Sequence, residues 1–170
     1  MSGAENGLSL RFSVTVISPP DVAFDAFTSR LGEWWVREYT WSGPDRLEAI
    51  GIEPRHGGMA YEIGPHGFRL DWGRVLYWEP PHRLVLSWHI APDRMPQPDP
   101  AQASEVDVRF HPRRNGTAVH LEHRHFERHG PHAAGYRRAM TEGWRDLLQR
   151  YTEACDTVSD PADNTSSSAA

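Results

Sequence analysis

The residues best suited to chemistry are five histidines in one short stretch, His120, His123, His125, His129 and His132. His123 and His125 stand two apart, so on a β-strand both side chains would leave the same face of the sheet. Such a pair can offer two imidazoles to a metal ion. Because no third ligand follows at a fixed spacing, we favour hydrogen-bonded histidines over a metal site, and we expect no metal and no cofactor.

Carboxylates are a second set of candidates, because Glu62, Asp71 and Glu122 could transfer protons with His123 if one pocket gathers them. His123 has the parity of the apolar residues before it, so we expect it in the pocket, titrating near neutral pH. Glu122 has the opposite parity and is discounted. The sequence has no Ser-His-Asp pattern, glycine-rich nucleotide loop or zinc signature, and we assign no catalytic residue.

Large aromatic side chains are abundant, with seven Trp, six Phe and five Tyr. Core packing would explain any one of them, but together they predict a pocket for a planar or polyketide-like ligand. Strand parity predicts that Tyr61 faces inward with Met59 and Ile63, and that Trp88 also faces inward. The predicted ligand-binding residues are Trp34, Trp35, Tyr61, Trp72, Trp88, His123, Tyr136, Met140 and Trp144.

A long helix and a sheet must position these rings. From Tyr136 to Tyr151 the apolar residues recur at steps of three and four, which places them on one side of a helix. That face needs a broad apolar surface to cover. Alternating segments bounded by turn residues predict a first strand at 8–17 and about six more between 46 and 126. Two short helices follow the first strand.

This order predicts an α+β, helix-grip fold, in which a curved antiparallel sheet of about six to seven strands wraps on the long C-terminal helix. The design encloses a space between helix and sheet. We place a flexible arm at 1–7, one domain at 8–154 and a disordered tail at 155–170.

Composition excludes several classes of function. All 18 residues counted as Lys or Arg are arginine, so Schiff-base chemistry on a lysine and a P-loop are excluded. The net charge of −5 argues against nucleic acid as a partner. The sequence has no run of about 20 apolar residues and no signal peptide, so we expect a cytoplasmic protein without a membrane partner. The single cysteine, Cys155, excludes an internal disulfide.

Several motifs resemble the START-like, helix-grip superfamily, also called SRPBCC, and within it the subgroup related to the activator of Hsp90 ATPase. They span roughly residues 8–153 and include Pro19–Phe27, Glu33–Trp35, Gly57–Ile63, Pro80–Leu84, Glu122–Phe126 and Gly143–Trp144. The resemblance implies a ligand cavity under the long helix but does not identify the ligand. Four motifs are also similar to those of the calicheamicin self-resistance family, which binds a reactive natural product and is itself cleaved at a glycine: Glu33–Trp35, Gly57–Ile63, Glu122–Phe126 and Met140–Trp144.

Three functions stay open at this point. We favour binding of a small hydrophobic or aromatic molecule, for sequestration or self-resistance to a natural product, and we expect a non-enzyme. The first alternative is a polyketide cyclase or aromatase that uses the same pocket. The second is a co-chaperone that stimulates Hsp90, which would then be the protein's partner. We expect a monomer or a weak homodimer.

Overall fold

Seven strands form one antiparallel sheet within residues 8–158, the part of the chain that the computed structural model describes. Their bounds are β1 Leu10–Val16, β2 Ala49–Ile52, β3 Met59–Ile63, β4 Arg69–Glu79, β5 Arg83–Trp88, β6 Ser104–Arg113 and β7 Gly116–Arg124. The strand order is β1-β7-β6-β5-β4-β3-β2. Strands β2 to β7 therefore each pair with their neighbours in the chain, whereas β1 pairs with β7 and not with β2.

Within residues 8–158, three α-helices and four short 3-10 turns accompany the sheet; the α-helices are α1 Pro20–Phe27, α2 Leu31–Trp34 and α3 Ala133–Val158. Pro20 suits the start of α1 because its missing N–H is not needed in the first turn. The apolar face of α3 is buried at Trp144, Leu147 and Tyr151, as its spacing predicts. The long helix on a curled sheet confirms the α+β helix-grip prediction. Within residues 8–158, no helix combines the length and apolar character needed to cross a membrane.

The predicted start of the tail at 155 is four residues too early, because α3 continues to Val158. Cys155 lies one helical turn beyond Tyr151 on the same buried face and is fully buried itself, so the packing that holds the helix extends past the predicted end. The predicted arm at 1–7 and the rest of the predicted tail, 159–170, lie outside the described residues.

The inner face of the sheet follows the predicted parity on β5 and β7, where Trp88 and His123 are buried. On β3 the predicted parity is wrong, because Ala60 and Glu62 are the buried residues. Tyr61 instead lies over Gly51 on the outer face, where a Cβ on Gly51 would stand 2.9 Å from the Tyr61 hydroxyl. The Arg69 guanidinium lies over the Tyr61 ring, 4.5 Å from its centroid.

Candidate functional site

A cavity of about 360 Å³ is lined by the segment after α2, by residues of β2 to β5 and by the loop after β5, and no residue of α3 lines it. Its wall includes Trp35 after α2, Trp72 on β4 and Trp88 on β5. Its mouth lies between two loop segments, Glu38–Trp41 and Asp93–Met95. We call this space the tryptophan cavity, after its three wall residues.

The three wall rings contact one another. Trp35 stacks on Trp72 with 5.5 Å between ring centroids and 30° between planes, and Trp72 meets Trp88 edge-on at 5.4 Å. A break in strand register places Trp72 here: Ala60 pairs with Gly73 while Tyr61 pairs with Asp71. Trp72 is therefore an extra residue, and such a bulge redirects a side chain.

Glu62 supplies the buried carboxylate of the cavity. It is 3% exposed, and its two oxygens accept hydrogen bonds of 2.9 Å each from the backbone N–H groups of Trp41 and Ser42. These bonds hold one side of the mouth in place. A carboxylate can accept about four hydrogen bonds, so Glu62 keeps acceptor capacity for an occupant.

Trp72 carries an unsatisfied donor. Its side chain lines the cavity and is 5% exposed, and its indole Nε1 has no hydrogen-bond partner among the described residues. Other buried indoles donate normally: Trp34 to Ala26 O at 2.8 Å, Trp88 to Tyr136 Oη at 2.8 Å, and Trp144 to His123 Nδ1 at 3.1 Å. A buried donor without a partner is rare in native proteins and calls for an explanation.

A hydrogen-bonded histidine cluster fills the interior behind the wall. His123 Nδ1 accepts from Trp144, so the imidazole proton is assigned to Nε2, which donates to Ser104 Oγ at 2.7 Å. The Ser104 hydroxyl then donates to His129 Nε2, also at 2.7 Å. Every ring nitrogen named here has a partner, which is what keeps these polar groups stable inside.

Burial decides the charge state of both histidines. Desolvation, with the nearby charge of His129, holds the pKa of His123 well below its ordinary value. Desolvation, followed by the charge of His89, lowers the pKa of His129 to about 4. The expectation that His123 titrates near neutral pH is therefore wrong, because the side chain is fully buried, with the rings of Phe126 and Trp88 at 4.1 Å and 5.3 Å between centroids.

The pairing of His123 with His125 is also wrong. The strand ends at Arg124, and His125 takes a left-handed conformation with φ 64°, which turns its side chain toward Glu127. Among residues 8–158, no group of three or more His, Cys, Asp or Glu side chains is placed to hold a metal ion.

The structure does not bring the other acid and base candidates together at the cavity. Asp71 pairs with Arg69, outside the cavity lining, and Glu122 pairs with Arg11. Only Glu62 among the carboxylates identified from the sequence lies at the cavity, although strand parity had placed it outside.

The nine predicted ligand-binding residues fall into three groups. Trp35, Trp72 and Trp88 line the cavity. His123, Tyr136 and Trp144 form the layer behind it, and Tyr136 donates to Ile90 O at 2.8 Å while burial raises its pKa to about 12. The remaining three lie elsewhere: Trp34 in the core against Phe27 and Tyr151, Tyr61 on the outer face, and Met140 half-buried on α3.

The sequence analysis did not predict the residues at the mouth of the cavity. Arg94 Nη2 donates to Glu38 O at 3.2 Å and so links the two loop segments across it. Arg94 has φ 69°, a loop conformation that no periodicity could reveal. Trp41, 48% exposed and 5.6 Å from the Phe68 ring, forms an apolar rim, and its only sequence signal was its aromatic type.

Comparison with known proteins supports one family. Residues 18–155 match the family described as Activator of Hsp90 ATPase homolog 1-like protein. Among solved structures, the chain is similar to an anthrahydroquino-γ-pyrone synthase, Txn09, solved in complex with a ligand abbreviated SUM. The identity is 32%, the match covers 88% of this chain and 98% of that one, and the TM-score is 0.61.

Two more distant structures share the fold. Protein NE0264 from Nitrosomonas europaea is 19% identical, with 86% of this chain and 93% of that chain covered and a TM-score of 0.62. Protein MLL2253 from Mesorhizobium loti is 22% identical, with 86% and 96% covered and a TM-score of 0.60. No curated protein sequence matches significantly. The chain belongs to the Activator of Hsp90 ATPase homolog 1-like family, with the helix-grip fold of the SRPBCC superfamily.

Proposed function

We propose that the protein binds a planar aromatic polyketide in the tryptophan cavity and closes an oxygen-containing ring on it. The observation that carries the proposal is the wall of three tryptophan rings around a space of about 360 Å³. That volume lies within the range of small-molecule sites, and aromatic walls suit fused rings. The 32% identity with a γ-pyrone synthase supports this class of substrate and reaction.

Ring closure to a γ-pyrone has simple chemical needs. In an aryl 1,3-diketone with an ortho hydroxyl group, the phenolic oxygen bonds to the far carbonyl carbon. The phenolic proton and one proton of the intervening CH₂ group leave with that carbonyl oxygen as water. No oxidant or reductant is consumed, so the site needs only to hold the reacting ends together and to accept and return a proton.

The proposed roles follow from position. The tryptophan wall holds the aromatic rings flat, which brings the hydroxyl group and the side-chain carbonyl into reach of each other. Glu62 is the buried carboxylate of the lining and has free acceptor positions, so it accepts the phenolic proton. His123 takes no part, because its ring is sealed and its two nitrogens bond Trp144 and Ser104.

The test uses Glu62→Gln with Asp71→Asn as the matched control. Asp71 is a carboxylate on the adjacent strand that lies outside the cavity lining. An ortho-hydroxyaryl 1,3-diketone is incubated with each protein, and loss of one water is followed by mass spectrometry. We expect Glu62→Gln to lower kcat about 100-fold or more, while Asp71→Asn turns over normally. Equal turnover by Glu62→Gln, in a protein that melts like the wild type, would overturn the proposed role of Glu62.

Sequestration without conversion is the second candidate, as in self-resistance to a natural product. The specific observation in its favour is that both oxygens of Glu62 already bond the backbone, which suits a carboxylate that shapes the mouth. Binding with recovery of unchanged ligand would support it over the cyclase. Activation of Hsp90, which the family description raises, is tested by adding the protein to Hsp90 and measuring ATP turnover; unchanged turnover removes it.

A further inference from the structure

The tryptophan cavity holds a negative charge that no cation in the described part of the chain balances. Only two carboxylates within residues 8–158 are buried, Glu62 and Asp107, and each is 3% exposed. We infer that the cavity takes an aromatic ligand that carries a protonated amine, and that the buried charge of Glu62 attracts this ammonium group. This inference rests on the proposed binding of a planar aromatic molecule and specifies the charge of that molecule.

The two buried carboxylates differ in how their charge is compensated. Asp107 Oδ2 forms ion pairs with Arg83 and Arg124, each at 2.8 Å. Glu62 has no arginine or histidine within ion-pair distance among residues 8–158, and its two hydrogen-bond donors are backbone N–H groups. Buried charges in proteins are ordinarily paired, because an isolated ion loses its hydration without compensation. A cation in the cavity supplies the pairing that Asp107 has and Glu62 lacks.

The other charges of the lining add to the negative potential. Glu38 and Asp93 are exposed carboxylates at the mouth. Arg94 is the single cation of the lining, and it is exposed and donates to the Glu38 carbonyl oxygen at 3.2 Å. Three carboxylates against one guanidinium leave the lining with a net charge of −2. A positively charged ligand is therefore favoured at this cavity and an anionic one is repelled.

The attraction does not need contact with the oxygens of Glu62. Charges attract each other over several ångströms where water is excluded, so an ammonium group in the cavity gains from Glu62 at a distance. The acceptor positions of Glu62 then stay available for the proposed proton transfer. The wall adds a second attraction, because the face of a tryptophan ring attracts a cation, and Trp35, Trp72 and Trp88 line the same space.

The test compares aminomethylanthraquinone, a cation at neutral pH, with hydroxymethylanthraquinone of the same substitution position, which is uncharged. Their Kd values are measured by equilibrium dialysis. An ammonium group loses more hydration than a hydroxyl group when it enters a cavity, so a preference for the amine reports attraction by the protein. We expect the wild type to bind the amine about tenfold more tightly or better.

Two variants assign the preference to a residue. Glu62→Gln removes the buried charge and should reduce the preference to below about threefold, the part that exposed carboxylates at the mouth can supply. Asp71→Asn makes the same change in net charge outside the cavity lining and should keep the wild-type preference. An undiminished preference in a folded Glu62→Gln protein would overturn the inference.

The outcomes separate the inference from the proposed function. If the wild type binds both ligands equally or prefers the neutral one, the inference is wrong and aromatic binding stands. If neither ligand binds, aromatic binding at this cavity fails, and the inference fails with it. Should Glu62→Gln not fold, the wild-type preference in about 1 M salt decides, because salt screens exposed charges far more than buried ones. A preference that persists supports Glu62 as its source, and one that disappears overturns that assignment.

Discussion

Two regions of the same interior treat their polar groups in opposite ways. Where α3 covers the sheet, Trp144, His123, Ser104 and His129 form a continuous chain of hydrogen bonds with each named nitrogen paired. At the tryptophan cavity, which no residue of α3 lines, the Trp72 indole N–H has no partner within residues 8–158. The aromatic rings of the two regions touch, with Trp88 5.9 Å from Trp144, so both belong to one packed cluster.

This difference indicates that one part of the interior stabilises the fold and another part is available for binding. Pairing in the covered region fixes one arrangement of the core, because a partly satisfied buried network would be costly. At the tryptophan cavity, Glu62 keeps acceptor capacity that an occupant can use. Changes in the covered region should therefore alter stability, and changes at the cavity should alter affinity.

The largest effect should come from Trp144→Ala. The change removes a fully buried ring and leaves His123 Nδ1 unpaired, so we expect unfolding free energy to fall by about 3–5 kcal/mol. Urea unfolding measures the loss. Trp41→Ala, at the exposed rim, is the control and should cost less than about 1 kcal/mol. A small loss at Trp144 together with abolished ligand binding would mark it as a cavity wall instead.

The second largest effect should come from lowering the pH, which should destabilise the covered region. His123 and His129 have a lowered pKa in the fold but an ordinary one when unfolded, so only the unfolded chain gains protons as pH falls. Their contribution is full above the unfolded pKa of about 6.5 and declines as pH falls below it, and for His129 the decline ends near pH 4. We expect a loss of about 2–4 kcal/mol between pH 7 and pH 5.

Chemical denaturation at a series of pH values measures this slope. Asp107 also has a lowered pKa: burial would raise it, but hydrogen bonds from Arg83 and Arg124 outweigh that effect. Its contribution is lost only below about pH 4, beneath the histidine window. His129→Gln should flatten the slope between pH 6.5 and 5, and an unchanged slope would show that His129 is not a cause.

Ser104→Ala should have a smaller effect. Removing the hydroxyl takes one partner from His123 Nε2 and one from His129 Nε2, which should cost about 1–3 kcal/mol. Thermal unfolding measures the cost, and ligand affinity should stay within about twofold of wild type. A large loss of affinity without loss of stability would break the division between the two regions.

Trp72→Phe should change stability least. The indole N–H that it removes has no partner, so the relief of an unpaired donor offsets part of the lost packing. We expect unfolding free energy within about 1 kcal/mol of wild type, while affinity for a planar aromatic ligand falls because the ring forms part of the cavity wall. A loss as large as that of Trp144→Ala would mean that Trp72 belongs to the sealed core.

The sequence predicted the covered region well. The spacing from Tyr136 to Tyr151 defined the buried face of α3, and alternation on β5 and β7 placed Trp88 and His123 inside. Both features repeat over several residues, so a single deviation does not hide them. The family motifs gave the fold, since they lie in order along the whole domain.

The cavity was less predictable because it depends on local departures from those patterns. A register break places Trp72 inside, and Glu62 faces inward against the parity expected from Tyr61. The mouth depends on the loop conformation of Arg94. Periodicity carries no information about bulges or loops, and the neutral state of His123 depends on burial that only tertiary packing creates.

One measurement tests the central claim most directly. The indole N–H signals of the seven tryptophans are recorded by NMR while hydroxymethylanthraquinone is added. We predict that Trp35, Trp72 and Trp88 shift in a saturable way because their rings line the cavity, while Trp34 and Trp144, which lie outside the lining, keep their positions. Saturable shifts at Trp34 and Trp144 with none at Trp72, or no shifts at all, would contradict the account.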